Sequence, residues 1–110
     1  MPQKYQSLTT ILFFFYSLTA AAQLDADFTV SDSTGCGTLQ VSFCDNSTLL
    51  NGNFVVTRAW DLSGFTATTP CPGRIFSTPG NYTICLTVTD NAGNVDTECK
   101  DNIIQVFELP

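Results

Sequence analysis

From Tyr82 to Thr89 the chain alternates without a break. Tyr82, Ile84, Leu86 and Val88 fall on one side, and Thr83, Cys85, Thr87 and Thr89 on the other. A period of two over that length describes a β-strand with one face on a core and one toward solvent. Pro79-Gly80 supplies turn chemistry before it, and Asp90-Asn91-Ala92-Gly93 supplies it after. A second strand follows at once, so the stretch is one arm of a hairpin. The rest of the chain must cover its apolar face.

The N-terminus has a different character. Met1 to Gln6 is polar with one positive charge, Lys4; Ile11 to Leu18 is apolar; and Thr19 is followed by Ala20, Ala21 and Ala22. A basic start, a short apolar block and an Ala-x-Ala end describe a secretory signal peptide cut after Ala22. A membrane anchor needs roughly 20 apolar residues, and this block is shorter. No Cys follows the cleavage point, which argues against a lipid anchor there. The chain is therefore read as a leader, 1–22, and one domain, 23–110, secreted or on the cell surface, with no membrane insertion after cleavage. Domains this small bury a modest fraction of their surface and commonly add disulfides when exported. All five cysteines lie beyond the leader. Four basic residues stand against ten acidic ones, a net charge of −6. That balance speaks against nucleic acid and anionic membranes, both of which want Lys/Arg clusters.

Short strands separated by turn signals fill the domain. Ala26 to Ser31 places Phe28 and Val30 together, with Asp32 to Gly35 as the turn. Leu39, Val41 and Phe43 alternate inward against Gln40, Ser42 and Cys44. A polar loop over 45–53 leads to Phe54–Leu62, where Trp60 and Leu62 share a face. Phe65–Thr68 and Arg74–Ser77, with Phe76 inward, precede the hairpin; Val95–Cys99 and Ile103–Phe107 close the chain. About seven short strands, a central Trp and a Tyr opening the sixth strand predict an all-β, immunoglobulin-like seven-stranded β-sandwich. A small closed barrel is the alternative. Strand parity places Trp60, Tyr82, Phe43 and Leu86 in the core.

Four segments carry a family resemblance: Gly35-Cys-Gly-Thr-Leu-Gln-Val-Ser-Phe-Cys-Asp45, Trp60-Asp-Leu-Ser-Gly64, Phe76 through Gly93, and Ile104-Gln-Val106. Together they resemble a PKD (polycystic kidney disease) domain over about residues 24–108. Two positions depart from the family pattern. Thr38 stands where Pro is usual, and Leu62-Ser63-Gly64 replaces a Phe-Gly-Asp-Gly turn. The second change removes an acidic residue, so a metal or ligand role tied to the complete motif is not carried over. The resemblance implies a PKD-type sandwich found outside cells, serving as a spacer, adhesion or binding module for proteins or carbohydrates. The cysteine-containing Tyr-Thr-Ile-Cys-Leu-Thr stretch is similar to copies in secreted Bacteroidetes-type surface proteins.

An immunoglobulin-type disulfide between sheets needs inward cysteines on the second and sixth strands. Phe43 and Ile84 hold those inward positions, so Cys44 is not expected to bond Cys85. Pairing Asp90 with Asn94 across the hairpin sets Cys85 opposite Cys99, within reach of a disulfide. In the sandwich topology the end of the second strand lies beside the start of the fifth, which pairs Cys44 with Cys71. That bond would close a loop of about 27 residues, worth ~3 kcal/mol. Cys36 is then left over, as an exposed thiol or the link of a Cys36-bonded dimer. Connectivity is not fixed by sequence alone, and a shuffled pairing that includes Cys36 is the alternative.

The chain has no His, which removes the commonest general base and most zinc sites. Cysteines eight or more residues apart do not form Cys-x-x-Cys knuckles. Asp25/Asp27 and Asp96/Glu98 read as outward, solvated charges that discourage edge pairing; the sharper alternative is a calcium site. Asn46-Ser-Thr48 and Asn81-Tyr-Thr83 fit the N-glycosylation pattern, a weak signal. Phe54 and Phe65 flank loops, where an exposed ring could stack on a sugar. The expectation is therefore a non-catalytic interaction or spacer module without a cofactor, whose partners are other extracellular protein domains or polysaccharide. A stand-alone carbohydrate-binding domain is the alternative.

Overall fold

The computed structural model describes residues 24–50 and 52–110; the expected signal peptide over 1–22 lies outside the described residues. Ten strand segments follow in order: β1 (Leu24–Asp25), β2 (Phe28–Val30), β3 (Thr34–Cys36), β4 (Leu39–Asp45), β5 (Thr48–Leu49), β6 (Val55–Asp61), β7 (Thr66–Ala67), β8 (Gly73–Phe76), β9 (Gly80–Asp90) and β10 (Val95–Phe107). No helix occurs among the described residues, and so none there is long and apolar enough to cross a membrane. A five-stranded sheet, β3-β10-β9-β6-β7, faces a three-stranded sheet, β2-β4-β8, and β1 pairs with β5. The architecture is the expected immunoglobulin-like β-sandwich.

Strand β9 organises it. Ile84, Leu86 and Val88 are fully buried, while Thr83, Cys85, Thr87 and Thr89 are half-exposed on the opposite face. Across the core sit Phe28, Val41, Phe43 and Phe76, with Trp60 between the layers. Trp60 meets Phe28 edge-on at 5.4 Å, and Phe43 meets Phe76 edge-on at 6.4 Å. Such pairs add to the ~1.5–3 kcal/mol that burying each large apolar side chain contributes. The indole N–H would be costly to bury unpaired; it donates to the Thr69 carbonyl at 2.8 Å.

The hairpin turn is built from its own polar residues. Asp90 is buried at 2 % exposure, and its carboxylate accepts from the Ala92 and Asn94 backbone N–H groups and the Asn94 amide. Gly93 takes φ 89°, a conformation that a side chain disfavours. The hydrogen bond from Asn94 to this carboxylate holds its pKa below the usual value, against the opposing effect of desolvation.

Four local expectations change. Asp32–Gly35 is not simply a turn, because Thr34–Cys36 forms β3, pairing in parallel with the end of β10. Gly35 permits this, since a Cβ there would stand 2.9 Å from Leu39 Cδ1. The 45–53 loop contains β5, which holds β1 in place. The two closing strands form one 13-residue strand with a register shift between Lys100 and Ile104. Finally, Asp96 and Glu98 are not outward. The hairpin register sets them opposite Val88 and Leu86, on the side of the core residues. Asp96 is half-buried there and accepts from the Ala26 N–H at 2.8 Å.

Candidate functional site

The cysteines follow from strand register. Cys85 and Cys99 are directly opposed on β9 and β10 and are bonded, with Cα atoms 4.0 Å apart. The β4–β8 ladder runs past its last paired residues through a hydrogen bond from the Phe43 N–H to the Pro72 carbonyl. That register brings Cys44 to Cys71, and they are bonded with Cα atoms 4.1 Å apart. Both disulfides lie within a sheet on its solvent side, and neither crosses the core. Cys36 is a free, exposed thiol beside Phe107 on the β3–β10 edge.

The three basic residues of the described chain share a task that sequence reasoning missed. Each reaches from one sheet to the other. Arg58 on β6 meets Asp45 at the end of β4 at 2.7 Å. Lys100 on β10 reaches the Asp27 carboxylate at 3.0 Å and the Phe28 carbonyl at 2.9 Å beside β2. Arg74 on β8 donates through Nη1 to the Leu62 and Ser63 carbonyls of the β6–β7 turn. Burial pushes the Asp45 carboxyl up, but hydrogen bonds from Ser47 and Arg58 outweigh it and hold the pKa below the usual value. Asp27 is likewise lowered, chiefly by its hydrogen bond from Lys100. Asp25, Asp32, Asp61, Asp101 and Glu108 are exposed and form no ion pair among the described residues, which gives an acidic surface unsuited to polyanions. No cluster of three metal-ligating side chains occurs among the described residues.

The aromatic candidates separate. Phe54 and Phe65 are 60 % and 58 % exposed but flank opposite ends of the seven-residue β6, roughly 20 Å apart at the rise of a strand. One ligand of ordinary size does not touch both. Phe65 has company: the Arg74 guanidinium lies 4.1 Å from its ring centroid and 4.4 Å from that of Phe76. Exposed Ile75 and Gln40, opposed across β8 and β4, complete an open depression with Gly73. Phe54 instead brackets the hairpin turn by exchanging hydrogen bonds with Asn91. Trp60, Phe43 and Leu86 lie in the core. Tyr82 is half-buried, its ring 4.7 Å from Phe76 and its hydroxyl donating to the Thr78 carbonyl. This is the arrangement of a tyrosine corner.

Two sheets packed face to face, with a central Trp and a Tyr closing the corner before β9, place the chain among the immunoglobulin-like sandwiches. Within that class it belongs to the PKD domain family, whose model matches residues 17–106. The PKD1 domain of the Vibrio cholerae metalloprotease PrtV superposes with a TM-score of 0.65 at 28% identity, covering 77% of this chain and 98% of that one. The PKD1 domain of Vibrio anguillarum Epp gives 0.65 at 27%, covering 79% and 96%. A chain solved in work on the promiscuous specificity of carbohydrate-binding modules of the β-sandwich superfamily gives 0.67 at 27%, covering 78% and 35%. No curated protein matches the chain.

Proposed function

We propose that the chain is a non-catalytic extracellular interaction and spacer module of a secreted or cell-surface protein, making protein or carbohydrate contacts. One observation carries this reading: a PKD-family sandwich stapled by disulfides that surface at Cys71 and Cys99. Exposed structural disulfides belong to oxidising compartments. Export would use residues 1–22 as a cleaved signal peptide and release 23–110 as the domain, a cysteine-containing variant of the Bacteroidetes type. PKD domains are generally non-catalytic, and the absence of His supports the same role here. Cys36 supplies the link for a dimer.

The exposed Phe65 depression and the likeness to a carbohydrate-binding-module chain favour one second reading, a carbohydrate-binding domain acting on its own. An immunoblot of source cells and medium against residues 23–110, with and without reductant, tests the first. The module reading expects signal in the medium or on the cell surface. A product confined to the reducing cytoplasm would sink it. A band that doubles only without reductant, and not in Cys36→Ser, identifies the dimer.

A further inference from the structure

We propose that the depression formed by Gln40, Phe65, Gly73, Arg74 and Ile75 is a binding site for a neutral polysaccharide, with Phe65 as its stacking platform. This rests on the interaction-module reading above and assigns that module its ligand class.

The depression measures about 480 Å³, within the roughly 300–1,000 Å³ of small-ligand sites. Phe65 and Ile75 are each 58 % exposed at its rim, an aromatic and an aliphatic surface of the kind folding normally hides. Phe65 is nevertheless held in place. The guanidinium of Arg74 lies on its ring at 4.1 Å and is itself anchored by the Leu62 and Ser63 carbonyls. A ring fixed before binding gives up little conformational freedom when a ligand stacks on it.

The polar groups point the same way. Arg74 has five N–H donors. Nη1 serves the two carbonyls, whereas Nε is the one buried side-chain polar atom without a partner among the described residues. Nε is sealed from the depression, so the Arg74 donor left for a ligand oxygen is Nη2, which is neither buried nor hydrogen-bonded among the described residues. Arg74 also faces no carboxylate, unlike Arg58 and Lys100. The Gln40 amide, directly across from Ile75, adds a donor and an acceptor at the rim.

A pyranose matches this set. It has an apolar ring face for Phe65 and Ile75, and hydroxyls that both donate and accept for Gln40 and Arg74. Charge selects the neutral members. Ten acidic residues, with Asp61 exposed at the adjoining turn, oppose a polyanion. A peptide added to the sheet edge is disfavoured because β8 offers four residues of backbone.

The test is retention of the full, oxidised secreted chain on insoluble cellulose, chitin, amylose and β-1,3-glucan. Retention on at least one is expected. It should fall about tenfold or more in Phe65→Ala, as for other central aromatic contacts, and fall less in Gln40→Ala. It should be unchanged in Val95→Ala, an exposed apolar control on the other sheet. Raising sodium chloride from about 0.05 to 0.5 M should leave it unchanged, as expected for an uncharged ligand. Matching thermal melts establish that the variants fold. Failure on all four polysaccharides, retention that survives Phe65→Ala, or retention abolished by salt overturns the site. Failure here together with export and oxidation in the immunoblot leaves the module reading intact and removes only this ligand.

Discussion

Arg58 on β6 and Asp45 on β4 meet across the sandwich at 2.7 Å, with the Asp45 side chain only 6% exposed. Ser47 satisfies the other carboxylate oxygen through its hydroxyl at 2.6 Å and its backbone N–H at 2.9 Å. Arg58→Met would strand that carboxylate between the sheets. A loss of about 2 kcal/mol is expected, between the values for exposed and fully buried pairs, read as a shift in the urea midpoint at unchanged slope.

The same group sets an acid limit. The folded-state pKa of Asp45 lies below the usual aspartate value, and those of Asp27 and Asp90 are lowered too. Stabilisation from these groups is complete above the unfolded value and is lost as pH falls through the lowered folded values. Melting temperature should therefore hold steady down to about pH 4 and drop below it. In Asp45→Asn the neutral-pH melting point should be lower and the acid limb shallower; an unchanged limb would remove Asp45 from the account.

The two disulfides enclose 27 and 14 residues. On the chain-entropy estimate their removal costs about 3.5 and 3 kcal/mol respectively. Cys44→Ser with Cys71→Ser should thus destabilise slightly more than Cys85→Ser with Cys99→Ser, as measured by denaturation of each double variant. Peptide mapping without reduction should give only these two crosslinks and a Cys36 peptide that alkylates in the native state. A Cys36–Cys44 crosslink would contradict the assignment.

Tyr82→Phe removes the hydroxyl that ties the start of β9 to the Thr78 carbonyl. A loss of about 1 kcal/mol is expected, the ordinary net contribution of one hydrogen bond. Trp60→Ala, at 2 % exposure in the centre of the core, should cost about 3–5 kcal/mol. Equal effects from the two substitutions would mean that the core is centred elsewhere.

What could be read from the sequence was whatever local pattern controls. The alternation of β9 and the turn chemistry of Asp90–Gly93 identify the hairpin, and its register places Cys85 opposite Cys99. The same register sets Glu98 opposite Leu86, so the inward side of Asp96 and Glu98 follows from the same local pattern. Other features had no local signal. Thr34-Gly35-Cys36 has turn-like composition, and its strand exists only through a parallel partner some seventy positions later. Arg58, Arg74 and Lys100 look like ordinary surface cations until the layers bring Asp45, Leu62 and Asp27 beside them. Phe54 and Phe65 look equivalent in sequence, and only the span of β6 between them assigns them to different ends.

Because each disulfide lies in the plane of its own sheet, the chain has a built-in limit on how far it can be stretched. Pulled to full length with its bonds intact, it withholds the segments 44–71 and 85–99 as closed loops. At about 3.4 Å per residue these take roughly 90 and 50 Å out of its reach. Reducing agents gain access to that reserve through the exposed Cys71 and Cys99. The reach of an unravelled copy is thereby set by the redox state of its surroundings.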